Sequence, residues 1–477
     1  MSDPSRDTAP PSDRKANWIE LLQDGRAAYT ILLNLGIGLH ALDVFVITTI
    51  MPAVVADIGG VSFYTWTSML YMVGSIVGAA AGGHIRARLG RQRGYVWGGV
   101  ILMIGTVGCA VPPDMATLLA ARTLKGIGGG LVIAQSMALV SDLYEPRIRA
   151  RILATITTTW SIAALIGPAI GGVFAEIGWW RGAFWATAPF TICFMWMAWH
   201  YVPAVKVTAL ARRFPWRRLA LLATGVMAIG LTSQFDDAAI NGGLIALSAF
   251  LVWLTLRIDG ASAHGLFPSQ PLSLLAPVGL AYWMFLLISL THSALLIFAP
   301  LFLQVLHGLS PLYIGYLSLV FSLGWTAGAI GVSGWSGLWE RAALVGGLAI
   351  AALSTVAFIF AVVGGTLLMV TIWITVIGVG IGATNVLSTT YGMSVAREGE
   401  ESITATAMQT VRSLGVAFGA AIAGLVANAA GLDRGTDAKT VTDVAIWVLG
   451  FTACVPAVGA LIAWRAASWG WKFRTGR

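Results

Sequence analysis

The chain has 477 residues, 57% of them hydrophobic and only 10% charged, and its mean hydropathy is +0.81. A soluble globular protein carries about 25% charged residues, so this surface cannot all face water. The net charge of +8 invites a nucleic-acid reading, but the basic residues sit in short loops between apolar runs long enough to cross a bilayer. That placement points to a multi-spanning helical protein whose partner is the lipid bilayer and excludes nucleic acid.

Residues 1–28 are polar, carry Arg6, Arg14, Lys15 and Arg26, and lack a short apolar core before a small-residue cleavage site. The first span itself is therefore expected to direct insertion. Spans are expected near 29–51, 64–83, 94–112, 115–140, 152–175, 183–203, 218–235, 240–257, 275–303, 309–333, 342–363, 366–393, 407–430 and 443–465. The expected fold is an all-α integral membrane protein of 14 transmembrane helices: two six-helix transporter bundles with an inserted central helix pair. The bundles cover 29–203 and 275–465, and the pair covers 218–257. A basic linker (204–217) and a second linker (258–274) flank the pair, and 466–477 form a tail.

With the N-terminus inside, 23 of the 29 Lys and Arg fall on the cytoplasmic side and only Arg181, Arg434 and Lys439 on the other. The positive-inside rule then places both termini in the cytoplasm.

The first span, YTILLNLGIGLHALDVFVITTIM, holds Asp43 near its middle, with His40 one turn earlier on the same face. A carboxylate at that depth costs about 2.5–3.5 kcal/mol on insertion scales and calls for a partner. Counting rise from the outer helix ends puts Asp43 and Arg122 of span 4 at a common depth of roughly 10–12 Å, with His40 and Lys125 one turn deeper. The pair serves either as a titratable coupling site or as a fixed packing contact. Lys125 is expected to stay free for an anionic or strongly polar group on a substrate, and Trp160 and His292 are candidate cavity residues. Arg412 lies near the start of span 13 and is expected to snorkel. The three cysteines read as small core residues, with neither a disulfide framework nor a metal site.

Small residues recur every fourth position in four spans: Gly74, Gly78 and Gly82; Ala163, Gly167, Gly171 and Ala175; Gly324 and Gly328; Gly415, Gly419, Ala423 and Ala427. Such stripes serve static packing or a moving interface. Because they fall on the second and fifth helices of each half, they are expected where two repeats rock against each other.

Several stretches, taken in order, resemble the major facilitator superfamily. They are GGHIRARLGRQR (82–93) with Gly83, Gly90 and Arg91, LAARTLKGIGGG (119–130), and GPAIGG (167–172) with Gly167, Pro168, Gly171 and Gly172. LDVFVITTIMPAV (42–54), WWRGAFWATAP (179–189), LFLQVLHGLSPLYIG (301–315) and MQTVRSLGVAFG (408–419) extend the likeness to its fourteen-spanner drug:proton antiporter branch. The resemblance implies alternating-access export of small amphiphilic or toxic molecules in exchange for protons, with Asp43, Arg122 and His40 in coupling and the glycine–proline motifs in gating. It implies a cell-membrane location, no enzymatic activity and no cofactor beyond the proton gradient. Export of an endogenous metabolite or lipid, and uptake by symport, stay open, as does the oligomeric state.

The sequence departs from that pattern in places. Ala87 stands where the loop motif usually has an acid, and Lys125 where the helix-4 motif usually has glutamine. Ala163 replaces a frequent glycine, and the equivalent loop of the second half is reduced to GWSGLWER (334–341). No P-loop, nucleophile elbow or HExxH supports an ATP-driven pump or a hydrolase.

Overall fold

The computed structural model describes residues 18–21, 23, 25–204, 214–235, 237–260, 267–268, 270–332, 335, 337–397 and 401–474. Most of the basic linker, Asp236 and the acidic run at Glu398 and Glu400 lie outside the described residues. Apolar side chains cover helix after helix, and each helix satisfies its own backbone polar groups, the condition for crossing hydrocarbon. The helices are α1 (Arg26–Ile58), α2 (Trp66–Leu89), α3 (Arg91–Ala110), α4 (Met115–Leu143), α5 (Pro146–Glu176), α6 (Arg181–Trp185), α7 (Ala188–Tyr201), α8 (Trp216–Leu231), α9 (Ala238–Gly260), α10 (Pro277–His307), α11 (Pro311–Val332), α12 (Leu338–Gly364), α13 (Leu367–Ser394), α14 (Glu401–Ala429) and α15 (Ala438–Arg474).

Several outrun their apolar stretches: α1 reaches Ile58 and α15 reaches Arg474, because backbone pairing continues into polar turns beyond the hydrocarbon-length core. Among the described residues twelve helical segments are long and apolar enough to cross a membrane. The expectation of fourteen exceeds that number because α7 and α8 are short, at 14 and 16 residues. Pro189 in the first turn of α7 lacks the N–H that would continue α6, so that stretch is built from two helical pieces.

One pairing scheme appears twice. In the first half α1 packs on α5, α2 on α4, and α3 on α4 and α7; in the second half α10 packs on α14, α11 on α13, and α12 on α13 and α15. The fourth helix of each half begins with a side-chain cap, Asp114 accepting from the Thr117 N–H (2.8 Å) and Thr366 from that of Met369 (3.4 Å). The Thr117 N–H also holds the Asp114 carboxyl below the usual carboxylate range.

The second and fifth helices of each half do meet across the halves as expected, but the glycines of their stripes face mainly within their own half. A Cβ on Gly74 or Gly78 would collide with the α4 backbone at Thr123 and Ile127. Gly324 and Gly328 meet the α13 backbone at Thr375 and Val379 in the same way. Gly167 and Gly171 face Phe45 and Thr49 of α1, and Gly415 and Gly419 face Leu286 and Leu290 of α10.

The halves meet through α5 with α11 and α2 with α14. Gly172 lies against Leu312, Gly315 against the Pro168 carbonyl, Gly424 against Thr65, and Tyr64 stacks on Phe298 at 5.7 Å. All these contacts lie toward the face remote from the chain termini. α8 and α9 pack together, and α8 reaches the seam, lining an apolar crevice with Val73, Ile76 and Val77 of α2 and Leu414 of α14. Trp66 is buried near this seam, close to Gly230, rather than in a cavity.

Candidate functional site

α1 delivers Asp43, and α4 delivers Arg122 and Lys125 three residues apart on one face. All three are almost fully buried, at 1%, 0% and 2% exposure. Arg122 Nη1 donates to Asp43 Oδ2, and Lys125 Nζ lies 2.5 Å from Asp43 Oδ1. The expected Asp43–Arg122 pair is therefore present. Lys125 is not free, because the same carboxylate takes both cations.

Further contacts to the cations come from Thr67, Tyr71 and Phe184. Arg122 Nε donates to the Thr67 carbonyl at 3.1 Å, and its guanidinium lies 4.3 Å from the Tyr71 ring centroid. Lys125 Nζ stands 4.8 Å from the Phe184 ring. Each aromatic face offers a buried cation a stabilising quadrupole. Arg122 Nη2 is buried with no hydrogen-bond partner.

His40, one turn from Asp43, shares a hydrogen bond of 2.8 Å between Nδ1 and the Tyr71 hydroxyl. Glycine makes this approach possible: a Cβ on Gly129 would stand 2.6 Å from His40 Nδ1 and 3.1 Å from Tyr71 Oη. A Cβ on Gly105 of α3 would stand 2.5 Å from the Lys125 backbone. Thus the glycine-rich run after Arg122 is what lets α2, α3 and α4 close around the charges.

Toward the middle of the molecule the His40 and Phe45 rings lie edge-on to Trp160, at 6.1 and 6.5 Å. Beyond Phe45 opens an apolar cleft between α1 and the second half, lined by His292, Leu296, Phe321, Ser318 and Ser322 among others. His292 stacks on Phe321 at 5.5 Å and meets Trp325 edge-on. Of the two residues expected at a cavity, His292 lines this cleft, whereas Trp160 stands behind Phe45 and does not line it. Arg412 does not snorkel away; its guanidinium lies 5.3 Å from the Trp160 ring, bridging the halves.

The loop after α2 uses its arginines within the first half. Arg86 and Arg91 (3.1 Å) both reach the Asp142 carboxylate near the end of α4. Asp142 thus receives the basic loop whose usual acid is replaced by Ala87. Gly90 turns between α2 and α3 with φ +83°, a conformation that favours glycine, whereas Gly83 faces open space. At the opposite face Arg181 joins Asp57 and the Pro112 carbonyl (3.0 Å), and Trp180 Nε1 donates to Asp57 (3.1 Å). Asp237 is exposed and caps the start of α9. Among the described residues no cluster of three or more His, Cys, Asp or Glu could hold a metal ion. Only Cys109 is a buried core residue; Cys193 and Cys454 are exposed on their helices, contrary to expectation.

Two sets of helices with one pairing scheme, a cleft between them and a buried charge cluster beside it define the architecture of a secondary transporter. The Major Facilitator Superfamily profile matches residues 33–420, and the chain belongs to that family of transporters rather than to any enzyme class. It is a multi-pass membrane protein whose family carries small molecules. A probable multidrug-efflux transporter of Mycobacterium tuberculosis (strain ATCC 25618 / H37Rv) is 30% identical over 436 residues, covering 87% of this chain and 90% of that one. A multidrug transporter protein of Bacillus subtilis (strain 168) is 30% identical over 175 residues, 36% of this chain and 32% of that one. Among solved structures, an inward-facing bacterial homologue of the human lysosomal transporter Spinster superposes with a TM-score of 0.64 at 16% identity, covering 94% of this chain and 98% of that one. A D-xylose–proton symporter gives 0.64 at 16% identity, with 92% and 97% covered. These two likenesses establish the fold alone.

Proposed function

We propose that the protein is a proton-coupled exporter of small amphiphilic compounds, working by alternating access across the cell membrane. The observation that carries this reading is the buried Asp43 carboxylate, bound by Arg122 and Lys125 beside the aromatic path to the central cleft. A carboxylate this deep is costly in hydrocarbon unless paired, and proton relays are a recurrent use of such groups. Protonating Asp43 releases two cations at once, which alters the packing of α1 on α4 and so the balance between the two cleft openings. The multidrug-efflux relatives support export rather than uptake. One proton moving down 100 mV supplies about 2.3 kcal/mol, and each tenfold substrate gradient opposes it with about 1.4 kcal/mol. One or two protons therefore suffice for a ten- to hundredfold gradient.

In the same reading the chain crosses fourteen times, with α6–α7 as one crossing and α8–α9 as an inserted hairpin, and both termini are cytoplasmic. The contacts between halves at the face remote from the termini would then close the outer side. No cofactor is needed beyond the proton gradient. The test is transport by the full chain in proteoliposomes under an imposed pH gradient. Accumulation that collapses with the gradient and is lost in Asp43→Asn supports the reading; gradient-independent flux in both proteins rejects it.

A further inference from the structure

We infer that the substrate is an organic anion with an apolar or aromatic body, and that Arg412 receives its acidic group beside Trp160 at the edge of the cleft. This rests on the exporter reading for the direction of transport but not for the chemistry of binding. Arg412 projects from α14 of the second half, and its guanidinium lies over Trp160 of α5 in the first half. Among the described residues no carboxylate meets Arg412. Asp43, the buried acid of α1, has its two oxygens taken by Arg122 and Lys125. In this region one carboxylate thus stands against three cations, Arg122, Lys125 and Arg412. A guanidinium held over an aromatic face without an acidic partner suits an anion, and its planar fork fits a carboxylate or sulfonate.

The rest of the cleft describes the body of that molecule. From Arg412 the path runs over Trp160 to Phe45, which lines the apolar cleft together with His292 stacked on Phe321. Small-ligand sites are mostly apolar with a few placed polar groups. Here those groups are His292, Ser318 and Ser322. Because Trp160 belongs to one half and Arg412 to the other, an anion between them is held by both halves. Closing and opening the cleft would then make and break its site. A permanent cation placed there meets Arg412 with no acid to offset the repulsion.

The test compares two probes, fluorescein as the anion and ethidium as the cation, by fluorescence anisotropy with the solubilised full chain and by pH-driven uptake into vesicles. Fluorescein is expected to bind about tenfold more tightly than ethidium, and Arg412→Gln to abolish that preference. Arg412→Lys, which keeps the charge, should retain most of it, and Trp160→Leu should weaken fluorescein binding independently of Arg412. Equal or tighter ethidium binding overturns the inference, as does fluorescein affinity unchanged in Arg412→Gln. Arg412-dependent fluorescein binding without pH-driven uptake leaves it standing and rejects proton coupling instead.

Discussion

Lys125 Nζ stands 2.5 Å from Asp43 Oδ1, on the carboxylate oxygen opposite the one that Arg122 holds. Two cations on one buried acid make Asp43 the keystone of the packing between α1 and α4. Asp43→Asn should leave both cations unpaired and destabilise the protein by about 3–5 kcal/mol, the usual consequence of removing one partner from a buried ionic cluster. Adding Lys125→Gln should recover part of that loss, because only one unpaired cation then remains. Thermal unfolding of the two single variants and the double variant completes the cycle. Additive losses would mean that Lys125 and Asp43 do not interact.

The glycine stripes separate folding from gating. Gly78 abuts the Ile127 backbone within the first half, whereas Gly172 abuts Leu312 across the halves. Gly78→Leu should destabilise by about 1–3 kcal/mol or more through overpacking. Gly172→Leu should leave unfolding nearly unchanged while wedging the halves apart at the face remote from the termini. Spin labels across the α5–α11 contact would register a lengthened distance in Gly172→Leu; an unchanged distance with lost stability would make that contact ordinary packing.

Tyr71 joins two functions, hydrogen-bonding His40 and covering the Arg122 guanidinium. Tyr71→Phe keeps the ring and deletes the hydroxyl, so stability should fall by only about 1 kcal/mol. If His40 relays protons, the pH profile of transport should shift in this variant more than its maximum rate. An unaltered profile would leave the His40–Tyr71 contact as structure alone.

Arg88 and Asp237 are both exposed, one in the last turn of α2 and the other before α9. In the fourteen-crossing topology they lie on opposite sides of the membrane. Single cysteines at these positions, on a background lacking Cys109, Cys193 and Cys454, should react with impermeant maleimide from opposite sides. Labelling of both from the same side would remove one crossing between them.

Apolar runs alone were enough to establish a helical membrane protein, and the basic loops set its expected orientation, because hydrocarbon thickness and charge exclusion act locally along a chain. The depth of Asp43 in its span marked the site, and the shared rise from the helix ends found Arg122. Rise along an axis did not find Lys125, because side chains lean toward the N-terminus of their helix. On α4 that lean carries the Lys125 ammonium back to the level of Asp43. The four-residue stripes showed that small residues share a face but not which neighbour that face meets, and packing turned most of them inward to their own half. Arg412 is near the start of an apolar run in one dimension, yet it lies over Trp160 of the opposite half. Only the tertiary structure could bring α5 and α14 together around it, since sequence periodicity carries no information about contacts between helices about 250 residues apart.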